Sequence, residues 1–257
     1  YGLAKAYAES DPSQMEEPLH TAMFTNPDHV PSLLLQAHNQ ADAEQYDAAN
    51  GILKAIFKIN PHHAGSWALQ SALHTVLNEP DKAKSARASG LKYWKTNPLV
   101  DHEIGKKLSS KYLFTEGAAH QRKALAFSKD YIPAKTQLAQ DLLRLGREEE
   151  GWKLAEEAHD ADGYDVTTFN LLTLHDSLKK YVTIDRNGFL LRMTPDEAAL
   201  YGDEAIDLLT EARGLFSKKY DTQIEGPVIV EIFPEKKDFA VRTFGIPGGD
   251  GYMGVCF

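Results

Sequence analysis

A chain of 257 residues with 42% hydrophobic and 25% charged side chains has the composition of a globular protein of one large or two modest domains. Its 37 acidic and 28 basic residues leave a formal charge of -9. No Lys/Arg cluster stands clear of acid, which excludes nucleic acid as the main partner. No apolar run approaches the roughly 18 residues of a membrane span, and the lone cysteine, Cys256, excludes a disulfide framework and a thiolate metal site. One cysteine suits the cytosol and a disulfide-free exported protein alike, so the compartment stays open.

The chain begins at Tyr1, which is not an initiator methionine, and its first residues are already helix-like. A piece of a longer protein is expected. Self-comparison then finds one productive offset. Ala37, Ser71, Gly105 and Ala139 are each 34 residues apart, as are Ala49, Ala83, Gly117 and Gly151. A third column holds Ile56, Gly90, Ala124 and Ala158. Large apolar residues at Leu33, Leu53, Trp67, Leu108, Leu138 and Leu142 follow a helical period between these columns. Small residues in register on two helices mark where the helices cross, and the large ones fill the space between copies. Asn60-Pro61 and Asn97-Pro98 read as stops between copies.

The stretches "YDAANGILKAIFKINP" (46–61) and "LAQDLLRLGREEEGWKLAEEA" (138–158) resemble the tetratricopeptide repeat. The match covers four full copies from Val30 to Tyr164. A partial copy precedes them, with Ala22 and Asn26-Pro27 in place, and part of a sixth follows at Phe169. Asp101 and Lys135 depart from the large apolar residue usual at their position. The resemblance implies an α-α superhelix whose concave face is lined by the first helix of each copy. That makes Leu34, Leu35, His38, Leu69, Ala72, Thr75, His102, Lys106, Gln137, Gln140 and Arg144 the candidate groove. Its mixture of apolar and hydrogen-bonding groups suits an extended peptide. The alternative is that the protein's own second domain docks in the groove.

Near Lys180 the pattern changes, so a repeat domain over 1–180 and an α+β segment over 181–257 are expected. In "KYVTIDRNGFLLRM" (180–193) two β-like runs flank Asn187-Gly188, a hairpin signal. A long helix follows over 194–221, with Thr194 as N-cap, Pro195 as first helical residue and Glu197 as capping-box partner. Ala198, Tyr201, Ala205, Leu208, Leu209, Ala212 and Phe216 make its apolar stripe. "GPVIVEIFP" (226–234) reads as a short buried strand, and 235–245 as a short helix closed by Gly245. After "GIPGGDG", the run Tyr252, Met253, Val255, Cys256 and Phe257 reads as the start of a buried strand, with Cys256 as a core residue.

"VEIFPEKKDFAVRTFGIPGGDGYMGVCF" resembles the stretch just before the zinc motif of peptidase-MA-like gluzincin metalloproteases, which often carry tetratricopeptide repeats. The resemblance covers roughly 181–257. It implies that Gly251, Tyr252, Met253, Gly254 and Val255 form an edge strand holding the substrate backbone. It also implies that a His-Glu-x-x-His helix and a zinc-binding Glu belong to the parent protein beyond Phe257. Gly248-Gly249-Asp250 departs from the family by lengthening the approach to that strand.

Inside the chain no complete catalytic set is found. His102-Glu103 has Lys106 where the second histidine of a zincin motif would stand. Glu156-x-x-His159 has the spacing of half a di-iron motif, without its other half. His62-His63 lies in a turn, and the glycine loop lacks the Gly-Lys-Ser/Thr of a phosphate loop. No catalytic, cofactor or metal residue is therefore assigned, and zinc is left to the parent. The expected function is a protein- or peptide-binding repeat scaffold. The alternative is the non-catalytic front portion of a zinc peptidase.

Overall fold

The computed structural model describes residues 1–248 and 251–257, which fall into two compact units, Tyr1–Asp141 and Leu142–Phe257. The chain is mainly α: helix pairs of the tetratricopeptide type, then a small α+β segment.

The first unit opens with α1 (Gly2–Ser10), a 3-10 turn (Pro12–Gln14) and α2 (Glu16–Thr25). Three helix pairs follow: α3 (Val30–Asp42) with α4 (Tyr46–Ile59), α5 (Ala64–Val76) with α6 (Pro80–Gly90), and α7 (Pro98–Ser109) with α8 (Phe114–Phe127). Helix α9 (Ile132–Arg144) runs across the boundary between the units. The first helices start at 30, 64, 98 and 132 and the second at 46, 80 and 114, so the 34-residue offset is held to the residue.

The sequence explains that regularity locally. Each first helix is preceded by a capping position at 29, 63, 97 or 131, occupied by His29, His63, Asn97 and Tyr131. His63 Nδ1 accepts the Ser66 N–H at 3.2 Å, and the Asn97 side chain accepts that of Leu99 at 3.1 Å. Asn97-Pro98 therefore starts a helix rather than stopping one: Asn97 is the N-cap and Pro98 the first helical residue. The turn inside each pair carries a left-handed residue in the same register, at Glu44 (φ 61), Asn78 (φ 56), Tyr112 (φ 63) and Gly146 (φ 71).

All twelve residues of the small columns are buried. The tightest crossing is between α7 and α8. A Cβ on Gly105 would lie 2.8 Å from the Gly117 carbonyl oxygen, and one on Gly117 would collide with the Ser109 hydroxyl. Leu33, Leu53, Ile56, Leu69 and Leu73 form one core, and Ala68, Ala72, Val100, Ile104 and Leu108 form the next.

The second unit continues the register with α10 (Glu148–Ala161) and α11 (Val166–Leu178). Strands β1 (Val182–Arg186) and β2 (Phe189–Met193) form an antiparallel hairpin, turned by Asn187 and Gly188 at φ 55 and 78. Helix α12 (Pro195–Tyr220) leads to β3 (Val228–Glu231), parallel to β2 in the order β1-β2-β3, and α13 (Lys236–Phe244) ends at left-handed Gly245.

The structure differs from several expectations. The chain divides into its two units after Asp141, whereas the composition changes near Lys180. Trp152, Leu171 and Leu174 share a core with Val241 and Phe233, so α10 and α11 pack as one body with the α+β segment. On α12, Ala198, Tyr201, Ala205 and Leu209 pack on the sheet, but Gly202 and Ile206 are its buried centre, and Leu208 and Phe216 are exposed. A helix of 26 residues is about 39 Å long and outruns a sheet whose longest strands have five residues, about 17 Å. Its last turns therefore have no sheet to cover. The Thr194 hydroxyl donates to Glu197 Oε2 at 2.8 Å instead of closing a capping box. β3, expected to be buried, is half-buried throughout.

The segment 251–257 forms no strand. Gly251, Tyr252, Met253, Gly254 and Val255 carry no ladder bonds to β1–β3 and are exposed, as is Cys256, which was expected in the core. Two glycines in five residues raise the entropic cost of extension, and without packing on either face nothing offsets it. Gly249 and Asp250 of the glycine loop lie outside the described residues.

Candidate functional site

The expected groove residues divide sharply. Leu69 and Ala72 are interior, one in each of two adjacent inter-helix cores. His102 is also buried: its Nδ1 pairs with Gln121 Oε1 at 3.0 Å, and its ring meets Tyr131 edge-on. None of these three is open to a peptide. Leu34 packs on the Leu33–Leu73 core, and Leu35 on Ala4, Met15 and Leu19 from the preceding helices.

His38, Thr75, Lys106 and Gln137 leave polar groups on the first helices, with Lys106 exposed and the others half-buried. Burial, with Lys107 and Lys106 adding repulsion, pushes the His38 imidazole down to about 3, so it is neutral. Lys107 and Lys111 reach back to the turn after α3, at 2.7 Å from Asp42 Oδ1 and 3.1 Å from its carbonyl oxygen. Gln137 Nε2 donates to Asp141 Oδ1 at 2.9 Å, and Gln140 is half-buried. In the second unit, Arg144 donates to the Thr243 carbonyl at 2.8 Å and lies over the Phe257 ring.

A polar junction between the second and third pairs was noted in the sequence only as the departure at Asp101. Its carboxylate is fully buried. Arg87 Nε and Nη2 donate to its two oxygens at 2.8 and 2.6 Å, and His120 Nδ1 lies 2.7 Å from Oδ1. Burial alone would raise this carboxyl; the hydrogen bonds from His120 and Arg87 outweigh it and hold the group below its ordinary value. The signal was in the columns. Arg87 stands 34 residues after Leu53, and Asp101 stands 34 after Trp67. Two positions that are apolar one repeat earlier hold an ion pair here.

Around this junction lies a cleft of about 340 Å³, lined by Ser71 and Thr75 of α5, by the turn and α6 from Asn78 to Arg87, and by His120 and Lys123 of α8. Glu79 at its rim is bonded to His74 and Lys82, each at 2.7 Å.

In the second unit a compact ion network ties α10 to the sheet and α13. Arg192 forks onto Glu148 at 2.6 and 2.7 Å and reaches Glu231 at 3.3 Å, while Arg242 Nε donates to Glu231 Oε2 at 2.6 Å. Arg242 and Glu231 are each only 9% exposed.

No group of three or more His, Cys, Asp or Glu is placed to hold a metal among the described residues. His62 packs edge-on to Tyr93, and His102 is consumed by Gln121, so neither fits a zinc site. No helix among the described residues is long and apolar enough to cross a membrane.

These features define a helical-repeat protein of the tetratricopeptide type. No family model and no curated protein sequence matches the chain. Similar solved structures include PilW, a widely conserved type IV pilus biogenesis factor, at 17% identity over 68% of this chain and 81% of that one, with a TM-score of 0.43. Yeast Tom70 aligns at 14% identity over 68% of this chain and 38% of its own, with a TM-score of 0.48. YrrB, a TPR protein with an unusual peptide-binding site, aligns at 13% identity over 63% of this chain and 84% of its own, with a TM-score of 0.35.

Proposed function

We propose that the chain is an interaction scaffold whose first helices receive an extended peptide or protein tail. The observation that carries this reading is the line of polar groups on successive first helices, exposed Lys106 with half-buried His38, Thr75 and Gln137. Gln140 belongs to the same proposed face, and Arg144 is proposed as a separate contribution from the second unit. Leu34 and Leu35 contribute only their half-exposed edges, and Leu69, Ala72 and His102 support the face from beneath. A peptide array tests it. Lys106→Glu inverts the one exposed charge of this face and should weaken an acidic binder about tenfold, with little effect on a neutral one. An array without any binder that responds to this change refutes the reading.

A second reading makes 181–257 the front of a gluzincin-type zinc peptidase unit, in which Gly251–Val255 becomes a substrate-holding strand and the repeats dock on the peptidase part. The order hairpin, long helix, parallel strand, short helix favours it. Zinc ligands would come from elsewhere in the parent protein. Reading the gene past Phe257 tests this: paired histidines four apart on a helix support it, and their absence sinks it.

A further inference from the structure

We propose that the cleft between α6 and α8 is a docking site for an acidic segment of a partner protein, one carboxylate of which sits against Arg87 between Lys84 and Lys123. The chain as a whole carries a charge of -9, yet this cleft is lined by Lys84, Arg87, His120 and Lys123. The one carboxylate on its rim, Glu79, is already bonded to His74 and Lys82. Asp101 lies beneath and is occupied by Arg87 and His120. Lys84 and Lys123 are exposed and make no ion pair among the described residues. The cleft is therefore locally cationic on an acidic molecule.

Arg87 is also prepared for a ligand. Its Nε and Nη2 are spent on Asp101, which fixes the guanidinium plane and leaves Nη1 without an acceptor among the described residues. A guanidinium already immobilised loses less entropy on binding a second carboxylate than a free one would. His120, which also lines the cleft, is held the same way through Nδ1. The floor is polar but neutral: the Ser71 hydroxyl donates to the Ala83 carbonyl at 2.9 Å, and that of Thr75 to the Ser71 carbonyl at 3.1 Å. A space of about 340 Å³ takes one acidic side chain with its flanking backbone, at the small end of the usual range of ligand pockets. The two lysines then match neighbouring acidic residues of the same segment.

Its basic groups, Lys84, Arg87, His120 and Lys123, lie on the second helices and only the neutral Ser71 and Thr75 come from a first helix, so Lys106 of α7 can be changed without touching it. Fluorescence anisotropy at low salt would compare a labelled Glu/Ser peptide with its Gln/Ser counterpart. The full chain should bind the Glu peptide at least tenfold more tightly. The double change Lys84→Glu and Lys123→Glu should abolish that preference while leaving the thermal midpoint unchanged, since both side chains are exposed. Lys106→Glu should leave it intact. Inorganic phosphate should compete no better than chloride at equal ionic strength. Equal binding of the two peptides overturns the proposal, as does a double variant that binds like the wild type. Selective competition by phosphate would make the cleft a free-anion site and overturn it too. Loss of binding in Lys106→Glu alone would transfer the acidic ligand to the first-helix face, overturning this site and supporting the function proposed above.

Discussion

Removing Arg87 should expose how much of the first unit depends on one buried charge. Asp101 is fully buried and receives two guanidinium hydrogen bonds, at 2.8 and 2.6 Å, and a third from His120 at 2.7 Å. In Arg87→Leu the carboxylate keeps only His120. Breaking a buried ion pair from one side costs about 3–5 kcal/mol. The Arg87 side chain is 28% exposed, so part of its attraction is already screened, and the low end, about 3 kcal/mol, is expected. Asp101→Leu leaves the guanidinium facing a hydrated cleft and should cost less, about 1–2 kcal/mol. The double change puts apolar residues at the positions that Leu53 and Trp67 hold one repeat earlier, and should return to within about 1 kcal/mol of the wild type.

Urea midpoints followed by circular dichroism and tryptophan fluorescence would measure all four proteins, with slopes compared because repeat arrays can unfold in parts. Asp101 titrates below its ordinary value in the folded chain. Its contribution is therefore present above the unfolded carboxyl pKa near 3.9 and is lost as pH falls through the depressed folded value. The gap between wild type and Arg87→Leu should close on acidification over that window. Additive effects in the double variant, or an Arg87→Leu cost under about 0.5 kcal/mol, would refute the coupling.

Gly117→Ala should cost about 2–3 kcal/mol, because the new methyl meets the Ser109 hydroxyl, Asp141 Oδ2 at 3.1 Å and the Gly105 carbonyl at 3.1 Å. Gly51→Ala, on an α4 face with nothing within 4 Å, should instead raise the thermal midpoint, by about 0.5–1 kcal/mol of stability. Arg242→Ala leaves buried Glu231 with Arg192 alone, at 3.3 Å, and should cost about 3 kcal/mol, with hydrogen exchange of the β3 amides rising ahead of that in α3–α8. His38 is neutral in the folded chain down to about pH 3 but protonates near pH 6.5 when unfolded, so it makes stability fall as pH drops between those values. His38→Gln should flatten that slope; urea midpoints taken across the window that change in parallel with the wild type would show that His38 is not its source.

The repeat was legible because its cause is local and periodic. Ala37, Ser71, Gly105 and Ala139 are small because two backbones cross there, and every copy obeys the same constraint. The hairpin at Asn187-Gly188 was legible for a similar reason: positive φ at two adjacent positions restricts the choice of residue. What failed was long-range. Leu69, Ala72 and His102 lie on first helices like Lys106, yet Leu69 is buried in the core with Leu33 and Leu53, Ala72 in the core with Val100 and Ile104, and His102 against Gln121 and Tyr131. Helical period alone does not say which side a neighbouring pair will cover. The stripe of α12 was misplaced because Gly202 has no apolar side chain to count, although its bare backbone is what lets Ile184 come close; a Cβ there would lie 2.7 Å from Ile184 Cδ1. Val255 and Cys256 look like strand residues by composition, but a strand forms only against another, which composition does not report.

The polar junction shows how a departure from the repeat pattern can make a surface as well as satisfy a core. An apolar pair at 87 and 101 would need no charge beneath α6, and the cleft above it would present only Lys84 and Lys123 on flexible stems. With Asp101 buried, Arg87 and His120 must turn inward to satisfy it, and both are thereby fixed in the cleft lining. On the proposed reading, stability and recognition rest on different atoms of the same guanidinium: Nε and Nη2 serve the core, and Nη1 is left for the ligand. Substitutions of Arg87 will therefore confound the two, whereas the exposed lysines change recognition alone. The coupling has a further consequence for Asp101→Leu. That variant keeps Arg87, frees it from its anchor and removes a negative charge from below the cleft. If the proposed acidic ligand binds there, this less stable protein should hold it at least as tightly as the wild type, with a steeper dependence on salt, because one more cation is left uncompensated. Weaker binding in Asp101→Leu at full folding would mean that preorganisation of Arg87 by its buried partner outweighs the charge that partner cancels.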